Sequence, residues 1–522
     1  MPKLELPEKL NAAEVFVDSH VAAGRGEKTA IICEDRRVSY DDLRRGTNQM
    51  GNALRSLGVR MEERVAVLLP DTPEWVLTFF GPMKIGAVAV ALNTMLKPKD
   101  YEYLLNDSRS RVLVVDISLL GLITEIRDQL KYIEHIIVRG GEAEGCLNFD
   151  EVLQNASDEL EIVETSKDDS AFWLYSSGTT GFPKGTIHLH HDMIVEADLY
   201  ARNTIGVQES DVSFSVAKLF FAYGLGNGLY FPLRTGGTTI LLPGRPMPET
   251  VFDIIDREQP TVFYSVPTSY AAMLHLAEKT GRDSLGRVRM CVSAGEPLPK
   301  HLYDKWQERF GVEILDGIGS TEILHIFISN RPGQGRAGST GQIVEGYEAK
   351  IIDEDGNELP PQNVGTLLIK GDSIAAGYWN KHEQSKDTFR GEWINTHDKF
   401  LMDEDGYFWY AGRTDDMMKV SGQAVWPTDV EAILQEHPAV LESGVVGTAD
   451  KDGLIKPRAY VVLKDGNEAG DELARELQNF VKKTTSPHKY PRIVTFVDDL
   501  PKTATGKIKR FRLREMAAEE PA

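Results

Sequence analysis

The chain of 522 residues carries 58 Lys and Arg against 79 Asp and Glu, a formal net charge of −21, and 41% of its residues are hydrophobic. This is the composition of a globular protein, and its length exceeds the roughly 250 to 300 residues that one hydrophobic core supports, so at least two domains are expected. The negative charge argues against a nucleic-acid-binding protein. No apolar run is long enough to span a membrane and no secretory signal pattern is present, so we expect a cytoplasmic protein.

Short apolar runs rich in Val and Ile alternate with segments of helical period through the first part of the chain. Because these runs are continuously hydrophobic, they fit strands buried on both faces, as in mostly parallel sheets covered by helices. In chain order the pattern predicts helix 41–57, strand 64–69, strands 111–115 and 135–138, strand 171–176, helix 191–203, strand 238–242, helix 248–258, strand 261–266, helix 268–280, strand 288–293 and helix 299–310.

The pattern changes after about residue 350 to short strands joined by turn sequences. Hairpin turns are predicted at Asp353-Glu-Asp-Gly356 and Asp403-Glu-Asp-Gly406, with strands at 365–369 and 406–411. The charged segment Gly412-Arg-Thr-Asp-Asp416 then precedes a smaller α+β pattern and is typical of a linker. The sequence therefore predicts a large domain over residues 1–414, which includes a small β-rich subdomain, and a small C-terminal domain over residues 415–522.

A glycine- and hydroxyl-rich loop follows the predicted strand at 171–176. Residues 175–185 read Tyr-Ser-Ser-Gly-Thr-Thr-Gly-Phe-Pro-Lys-Gly, which offers backbone N–H groups, hydroxyls and one cation to a phosphate chain. The loop is not a Walker A motif, because Lys184 is preceded by Pro183 and followed by Gly185. The predicted phosphate-binding residues are Ser176, Ser177, Gly178, Thr179, Thr180, Gly181 and Lys184.

This loop resembles the signature of the adenylate-forming superfamily, which includes acyl-CoA synthetases, peptide-synthetase adenylation domains and luciferases. Further motifs follow in the superfamily's order, at residues 316–322 (Asp-Gly-Ile-Gly-Ser-Thr-Glu), 396–398, 412–416, 419–422 and 501–507. Segments 218–228 and 316–326 resemble the bacterial benzoate-CoA ligase group in particular. The resemblance covers nearly the whole chain, and it implies that the small C-terminal domain is mobile.

The resemblance implies a two-step reaction that uses ATP, Mg²⁺ and coenzyme A. A carboxylate attacks the α-phosphorus of ATP to give an acyl-AMP, and the thiol of coenzyme A then displaces AMP. Attack of one anion on another needs charge neutralisation and alignment. The implied catalytic residues are Lys184, Thr321 at the α-phosphate, Glu322 as Mg²⁺ ligand and Lys507. For Lys507 the alternative is a solvated basic tail; acetylation at this position would remove its charge and switch the enzyme off.

Other segments are assigned by the same resemblance to the nucleotide and the thiol. Asp398 can accept both ribose hydroxyls with Arg413 donating nearby, and Gly295, Glu296, Pro297, Asp316, Gly317 and Ile318 surround the adenine. Lys419, Ser421 and Gly422 line the path of the thiol, and Asp415 is the hinge of the small domain. Two departures from the family pattern are His397, where glycine is usual, and Trp426, where smaller residues are usual.

The acyl group is expected in a short apolar pocket. Its residues by resemblance are Ala222, Tyr223, Ala294, Gly319, His325 and Ile326, with His325 as polar partner of the carboxylate. This pocket predicts benzoate or a close aromatic acid as substrate. The nearby sequence His188-Leu-His-His191 lacks the ligand spacing of a zinc site and is expected to cap a helix or to lie near the nucleotide.

Alternative functions share these motifs. A CoA ligase for a compact branched or 2-hydroxy aliphatic acid would reuse the same pocket, with His325 bonded to the substrate hydroxyl. A stand-alone adenylation domain that loads a carrier protein would have the same nucleotide residues. An inactive adenylate-binding protein is disfavoured because Lys184, Glu322 and Lys507 are all present. The expected partner is a small carboxylic acid, without nucleic acid or membrane, and the protein is expected to be a monomer or homodimer.

Overall fold

A computed structural model describes residues 4–176, 182–413, 416–420, 423–449, 454–485, 489–502 and 508–519. In chain order its strands are β1 (Thr29–Cys33), β2 (Arg36–Ser39), β3 (Arg64–Leu68), β4 (Val88–Ala91), β5 (Val112–Asp116), β6 (His135–Arg139), β7 (Leu147–Asn148), β8 (Ser170–Ser176), β9 (Lys184–Leu189), β10 (Val212–Ser215), β11 (Thr238–Leu241), β12 (Val262–Ser265), β13 (Met290–Ser293), β14 (Ile314–Gly319), β15 (Ile326–Ser329), β16 (Gln342–Ile343), β17 (Glu348–Ile352), β18 (Gly365–Lys370), β19 (Gly377–Tyr378), β20 (Phe389–Arg390), β21 (Trp393–Met402), β22 (Phe408–Arg413), β23 (Met418–Val420), β24 (Gln423–Val425), β25 (Val440–Ala449), β26 (Ile455–Leu463) and β27 (Ile493–Phe496).

The helices follow the predicted alternation with the strands. They are α1 (Ser19–Ala22), α2 (Tyr40–Ser56), α3 (Pro73–Lys84), α4 (Pro98–Ser108), α5 (Ile117–Thr124), α6 (Phe149–Gln154), α7 (Asp192–Glu196), α8 (Ala222–Leu225), α9 (Phe231–Thr235), α10 (Pro248–Glu258), α11 (Pro267–Thr280), α12 (Lys300–Phe310), α13 (His382–Thr388), α14 (Pro427–Glu436), α15 (Asp471–Thr484) and α16 (Arg510–Glu519). π-helical turns occur at Glu14–Asp18, Ala197–Thr204 and Gly226–Tyr230, and 3₁₀ turns at Arg127–Gln129 and Thr321–Ile323. No helix among the described residues combines the length and apolar character needed to cross a membrane.

Two large sheets dominate the N-terminal part. The first has the order β16-β15-β14-β13-β12-β10-β11-β1-β2 and is parallel from β14 to β1. The second has the order β19-β9-β8-β4-β3-β5-β6-β7 and is parallel from β8 to β7. Buried residues of both sheets, such as Val65 and Val67 of β3 and Val262 and Tyr264 of β12, belong to one apolar core cluster. The predicted fold class, with mostly parallel sheets covered by helices, is confirmed.

The remaining strands form smaller antiparallel or mixed sheets, as the change of pattern after residue 350 indicated. Strands β17, β18, β20, β21 and β22 form an antiparallel sheet, which is the predicted β-rich subdomain. Near the C-terminus, β25, β26 and β27 form a sheet with an apolar cluster on each face, one shared with α14 and α15 and the other with α16. The division of the chain at residues 414 and 415 stays a prediction.

Trp426, one of the two departures from the family pattern, lies between the predicted domains. It immediately precedes α14 and packs on Gly412 of β22, whose φ is 140°. A Cβ at residue 412 would lie 2.7 Å from the ring carbon Cε3 of Trp426. The indole therefore faces the β-rich subdomain rather than the apolar cluster that contains Val425 and Val430.

Candidate active site

The centre of the site is the 3₁₀ turn Thr321–Ile323, which connects β14 to β15. Ser320 begins the turn, and its hydroxyl accepts a hydrogen bond of 3.3 Å from the N–H of Ile323. Inside the turn the Thr321 carbonyl accepts the N–H of Leu324 at 3.2 Å, and so short a turn cannot satisfy all of its carbonyls internally. Further partners come from elsewhere: His188 Nε2 lies 2.8 Å from the Thr321 carbonyl, Ala375 N–H donates to the Glu322 carbonyl at 2.9 Å, and Ser373 donates to the Ile323 carbonyl at 2.8 Å.

The side chains of the turn project toward the carboxyl ends of the parallel strands, where α/β proteins bind ligands. Oε1 of Glu322 accepts a hydrogen bond of 2.8 Å from the hydroxyl of Tyr378 and one of 3.5 Å from Ser176 at the end of β8. Lys184, the first residue of β9, donates to the Tyr378 hydroxyl at 3.2 Å. The predicted phosphate-loop lysine and the predicted Mg²⁺ ligand are therefore brought together through Tyr378.

The three neighbouring histidines have different roles in the fold. His188 and Asp192 are buried, and His188 Nδ1 lies 2.8 Å from Asp192 Oδ2, which also accepts the N–H of Leu189 at 3.0 Å. His190 accepts the N–H of Ala12, and the His191 ring lies between two backbone carbonyls. His191 immediately precedes α7, but its side chain makes no capping hydrogen bond to the helix. The expected proximity of these histidines to the nucleotide stays a prediction. Within the described ranges, no three or more His, Cys, Asp and Glu side chains are grouped so that they alone could hold a metal ion.

Asp398 and Arg413, the predicted ribose-binding pair, are partners across β21 and β22. Arg413 Nη1 lies 3.3 Å from Asp398 Oδ1 and donates to the Thr396 carbonyl at 3.2 Å. His397, the departure before this aspartate, has φ 59°, a left-handed conformation that glycine adopts at lower cost. The backbone at residue 397 thus has a conformation that suits glycine, although histidine occupies the position.

The two predicted adenine-binding segments lie at the ends of neighbouring parallel strands. Ser293 of β13 is paired with Asp316 of β14, and Gly295 follows β13 with φ 94°. The Asp316 carboxyl is buried, and burial raises its pKa well above the usual range. Its carbonyl accepts the backbone N–H of Asn330, so the strand end is fixed before any ligand binds. Glu296, Pro297, Gly317 and Ile318 lie on the same two segments.

The predicted acyl-pocket residues come together around His325. Gly319 and Ile326 are paired between β14 and β15, and the rings of Tyr223 and His325 lie 5.4 Å apart between centroids. The Tyr223 hydroxyl donates to the carbonyls of Ser265 and Val292 at the ends of β12 and β13. Ala222, Ala294 and Ile326 belong to the surrounding apolar cluster.

His325 is neutral, which changes its expected chemistry. Burial lowers the pKa of His325 to about 3. Its Nε2 lies 3.1 Å from the Tyr223 carbonyl, an acceptor, so Nε2 carries the proton and Nδ1 is left as an acceptor. Nδ1 is buried without a hydrogen-bond partner among the described residues. An ionised carboxylate can only accept hydrogen bonds, so it cannot pair with Nδ1 of this tautomer. His325 is therefore suited to a substrate hydroxyl or amino group that donates a hydrogen bond, and not to the substrate carboxylate.

Several predicted site residues lie outside the described residues. These are Ser177, Gly178, Thr179, Thr180 and Gly181 of the phosphate loop, the hinge Asp415, Ser421 and Gly422 on the thiol path, and Lys507. Lys419 lies in β23. The sequence analysis did not identify Tyr378 as a site residue. It lies in Gly377-Tyr-Trp-Asn380, and the strand that places it is only two residues long, which is too short to give a sequence signal.

Comparison with known proteins assigns the chain to a family. The profile of the AMP-binding enzyme family matches residues 19–379, and the profile of the AMP-binding enzyme C-terminal domain matches residues 429–507. The chain therefore belongs to the AMP-binding enzyme family. This confirms the resemblance to adenylate-forming enzymes drawn from the motifs.

Several relatives within the family are aromatic acid-CoA ligases. The chain is 50% identical to the benzoate-CoA ligase of Thauera aromatica over 98% of this chain and 97% of that protein. It is 44% identical to a 4-hydroxybenzoate-CoA/benzoate-CoA ligase of Rhodopseudomonas palustris, over 97% and 94% of the two chains. The crystal structure of an anthranilate CoA ligase in complex with anthranoyl-AMP matches with a TM-score of 0.94 at 45% identity, covering 98% of each chain.

Substitution of Gly319 by Ala tests the close approach of β14 and β15. An added Cβ would lie 2.3 Å from the His325 carbonyl oxygen, so the strands must separate and the Thr321–Ile323 turn must shift. We expect acyl-AMP formation, measured as pyrophosphate release, to fall about a hundredfold, since a displacement of about 1 Å has effects of that size. Gly121→Ala is the control, because nothing lies within 4 Å of its Cβ position. Equal rates for the two variants would contradict the tight packing at Gly319.

Substitutions of His188 test its contact with the Thr321 carbonyl. His188→Leu removes the donor, whereas His188→Gln offers a side-chain N–H to the same carbonyl; both disturb Asp192. We expect His188→Leu to lower the rate of acyl-AMP formation roughly tenfold to a hundredfold, and His188→Gln to recover part of the loss. The rates are compared in single-turnover assays with ATP. Identical rates for Leu and Gln would assign the effect to Asp192 instead.

Proposed function

We propose that this protein is an AMP-forming acid-CoA ligase whose substrate is benzoate or a close aromatic acid. The observation that carries the proposal is the junction of Lys184, Tyr378 and Glu322 next to the apolar segments around His325. This arrangement places an ammonium and a carboxylate, which suit a triphosphate and its metal ion, beside the buried apolar residues that we assign to the acyl group. Similarity to aromatic acid-CoA ligases over the full length of this chain supports the same assignment.

In the first half-reaction, a carboxylate oxygen of the acid attacks the α-phosphorus of ATP and pyrophosphate leaves. Two anions must approach, so the residues act by neutralising charge and fixing geometry. We assign Lys184 and the loop residues 176–181 to the phosphates, Thr321 to the α-phosphate, and Lys507 to the developing charge between the α-phosphate and the acid. Asp398 and Arg413 hold the ribose, and the segments 295–297 and 316–318 enclose the adenine.

The residues at Glu322 fit a bound Mg²⁺. Mg²⁺ prefers oxygen ligands and is usually held by one or two carboxylates together with substrate phosphates. Oε1 of Glu322 accepts bonds from Tyr378 and Ser176, whereas Oε2 has no hydrogen-bond partner among the described residues. When bound, the cation would neutralise charge on the phosphates. Glu322 is the residue of this chain proposed to hold it.

In the second half-reaction, the sulfur of coenzyme A attacks the acyl carbon and AMP leaves with the electron pair of the broken bond. We propose that residues 419, 421 and 422 line the path of the thiol. Rotation of the small domain about Asp415 would replace Lys507 at the acyl site by this segment. Such a hinge uses the freedom of a few loop residues. The oligomeric state, monomer or homodimer, remains a prediction.

The choice of acid is tested by comparing kcat/KM for benzoate, 2-aminobenzoate, 4-hydroxybenzoate, 2-hydroxyisobutyrate and octanoate. We expect the aromatic acids to be preferred, since the residues proposed for the acyl group, such as Tyr223 and Ile326, belong to an apolar cluster and each buried CH₂ contributes about 0.8 kcal/mol. AMP release is measured with and without coenzyme A. Octanoate as best substrate would contradict the closed pocket, and 2-hydroxyisobutyrate would favour the aliphatic alternative. Formation of acyl-AMP and pyrophosphate with no release of AMP when coenzyme A is added would favour loading of a carrier protein.

Lys507→Ala tests the division of labour between the half-reactions. We expect acyl-AMP formation to fall at least about a hundredfold, because its ammonium meets charge that develops only in that step. Conversion of supplied benzoyl-AMP to benzoyl-CoA should be retained, and the acetyl-lysine form of residue 507 should behave like the Ala variant because it lacks the same charge. Stopped-flow measurement of each half-reaction provides the comparison. Similar losses in both would exclude the exchange of Lys507 for the thiol path.

A further inference from the structure

Tyr378 lies between the two opposite charges of the proposed phosphate site. Its hydroxyl donates to Glu322 Oε1 at 2.8 Å and accepts from Lys184 Nζ at 3.2 Å. The ammonium also lies 4.2 Å from the centroid of the Tyr378 ring. Lys184 and Glu322 are both described, and neither forms a direct ion pair with the other. A single hydroxyl therefore occupies the place where these two charges would meet.

The position of this hydroxyl is fixed by the surrounding fold. Tyr378 is 6% exposed and pairs with Thr186 of β9, so it lies two residues along that strand from Lys184. Its N–H donates to Ser385 at 3.1 Å, and its ring packs edge-on to Phe389 at 5.2 Å. Burial, with the nearby Glu322 carboxylate, raises the pKa of Tyr378 above its usual range. The side chain thus remains a neutral hydroxyl.

Without the hydroxyl, Lys184 and Glu322 would attract each other directly. Part-buried opposite charges interact strongly because solvent screens them weakly. A direct ion pair would occupy the ammonium that a triphosphate needs and the carboxylate that Mg²⁺ needs. Both residues would still be present, but each would be neutralised by the other.

We infer that Tyr378 is a positioning residue that keeps Lys184 and Glu322 apart, so that the ammonium remains available to the triphosphate and Glu322 Oε2 remains available to Mg²⁺. The inference rests on the proposed function, because it assumes that these two residues meet ATP and its metal ion. It assigns Tyr378 no contact with the reacting atoms. Its effect passes through the two charged side chains.

Tyr378→Phe removes the hydroxyl and keeps the ring against Lys184 and Phe389. Binding of ATP is measured by calorimetry in EDTA and in MgCl₂, which requires no turnover. In EDTA we expect the Kd for ATP to rise about tenfold, because Lys184 is paired with Glu322. The gain in affinity on adding Mg²⁺ should also shrink, because the carboxylate is already neutralised. Tyr101→Phe is the matched control: its buried ring also carries a hydroxyl that donates one hydrogen bond, to the Asn93 carbonyl, and accepts one, from the N–H of Leu96, but no charged partner is involved.

Adding Glu322→Gln separates the proposed ion pair from a loss of packing. In the Tyr378→Phe background an uncharged residue 322 cannot capture Lys184, so ATP affinity in EDTA should return to that of Glu322→Gln alone. Losses that add in the double variant, or an unchanged Kd in Tyr378→Phe, would overturn the inference. These outcomes are distinct from failure of the proposed function, which would appear as wild-type protein that does not bind ATP in either buffer.

Discussion

The arrangement of the site depends on how the short turn Thr321–Ile323 is held. Such a turn cannot satisfy all of its own carbonyls, and two distant segments supply further donors: His188 in β9, and Ser373 and Ala375 before β19. Each donor lies far from the turn in sequence. The turn therefore takes its conformation only when the two large sheets are packed against each other, and the side chain of Glu322 is positioned only then.

Much of this architecture was predictable because it is local or periodic. Helices such as Pro248–Glu258 and strands such as Arg64–Leu68 follow continuous hydrophobic patterns, and the phosphate loop is one contiguous segment. The part that was not predictable depends on pairing between distant strands. Tyr378 reaches Lys184 only because β19, two residues long, joins the edge of β9, and a strand that short has no period to detect.

The protonation states of buried side chains could not be predicted from the sequence either. The motif predicted that His325 belongs to the same group of residues as Tyr223, which the structure brings together, but the protonation of His325 could not be predicted. Burial and the contact with the Tyr223 carbonyl together decide that this ring accepts through Nδ1 and does not donate there. Asp316 is likewise placed by its motif, whereas the raised pKa of its carboxyl follows from enclosure between strands β13 and β14.

The contact of Trp426 with Gly412 has a consequence for protein engineering and for sequence divergence. Residue 412 is the first residue of the charged segment 412–416, and residue 426 lies after that segment, in the predicted small domain. A chimera that exchanges C-terminal domains at this segment therefore takes residues 412 and 426 from different parents. A donor domain with a small residue at 426 would leave a gap over Gly412, and a recipient with any side chain at 412 would collide with the indole 2.7 Å away. Residues 412 and 426 should therefore be transferred together in a chimera, and we expect substitutions at one of them to be accompanied by substitutions at the other.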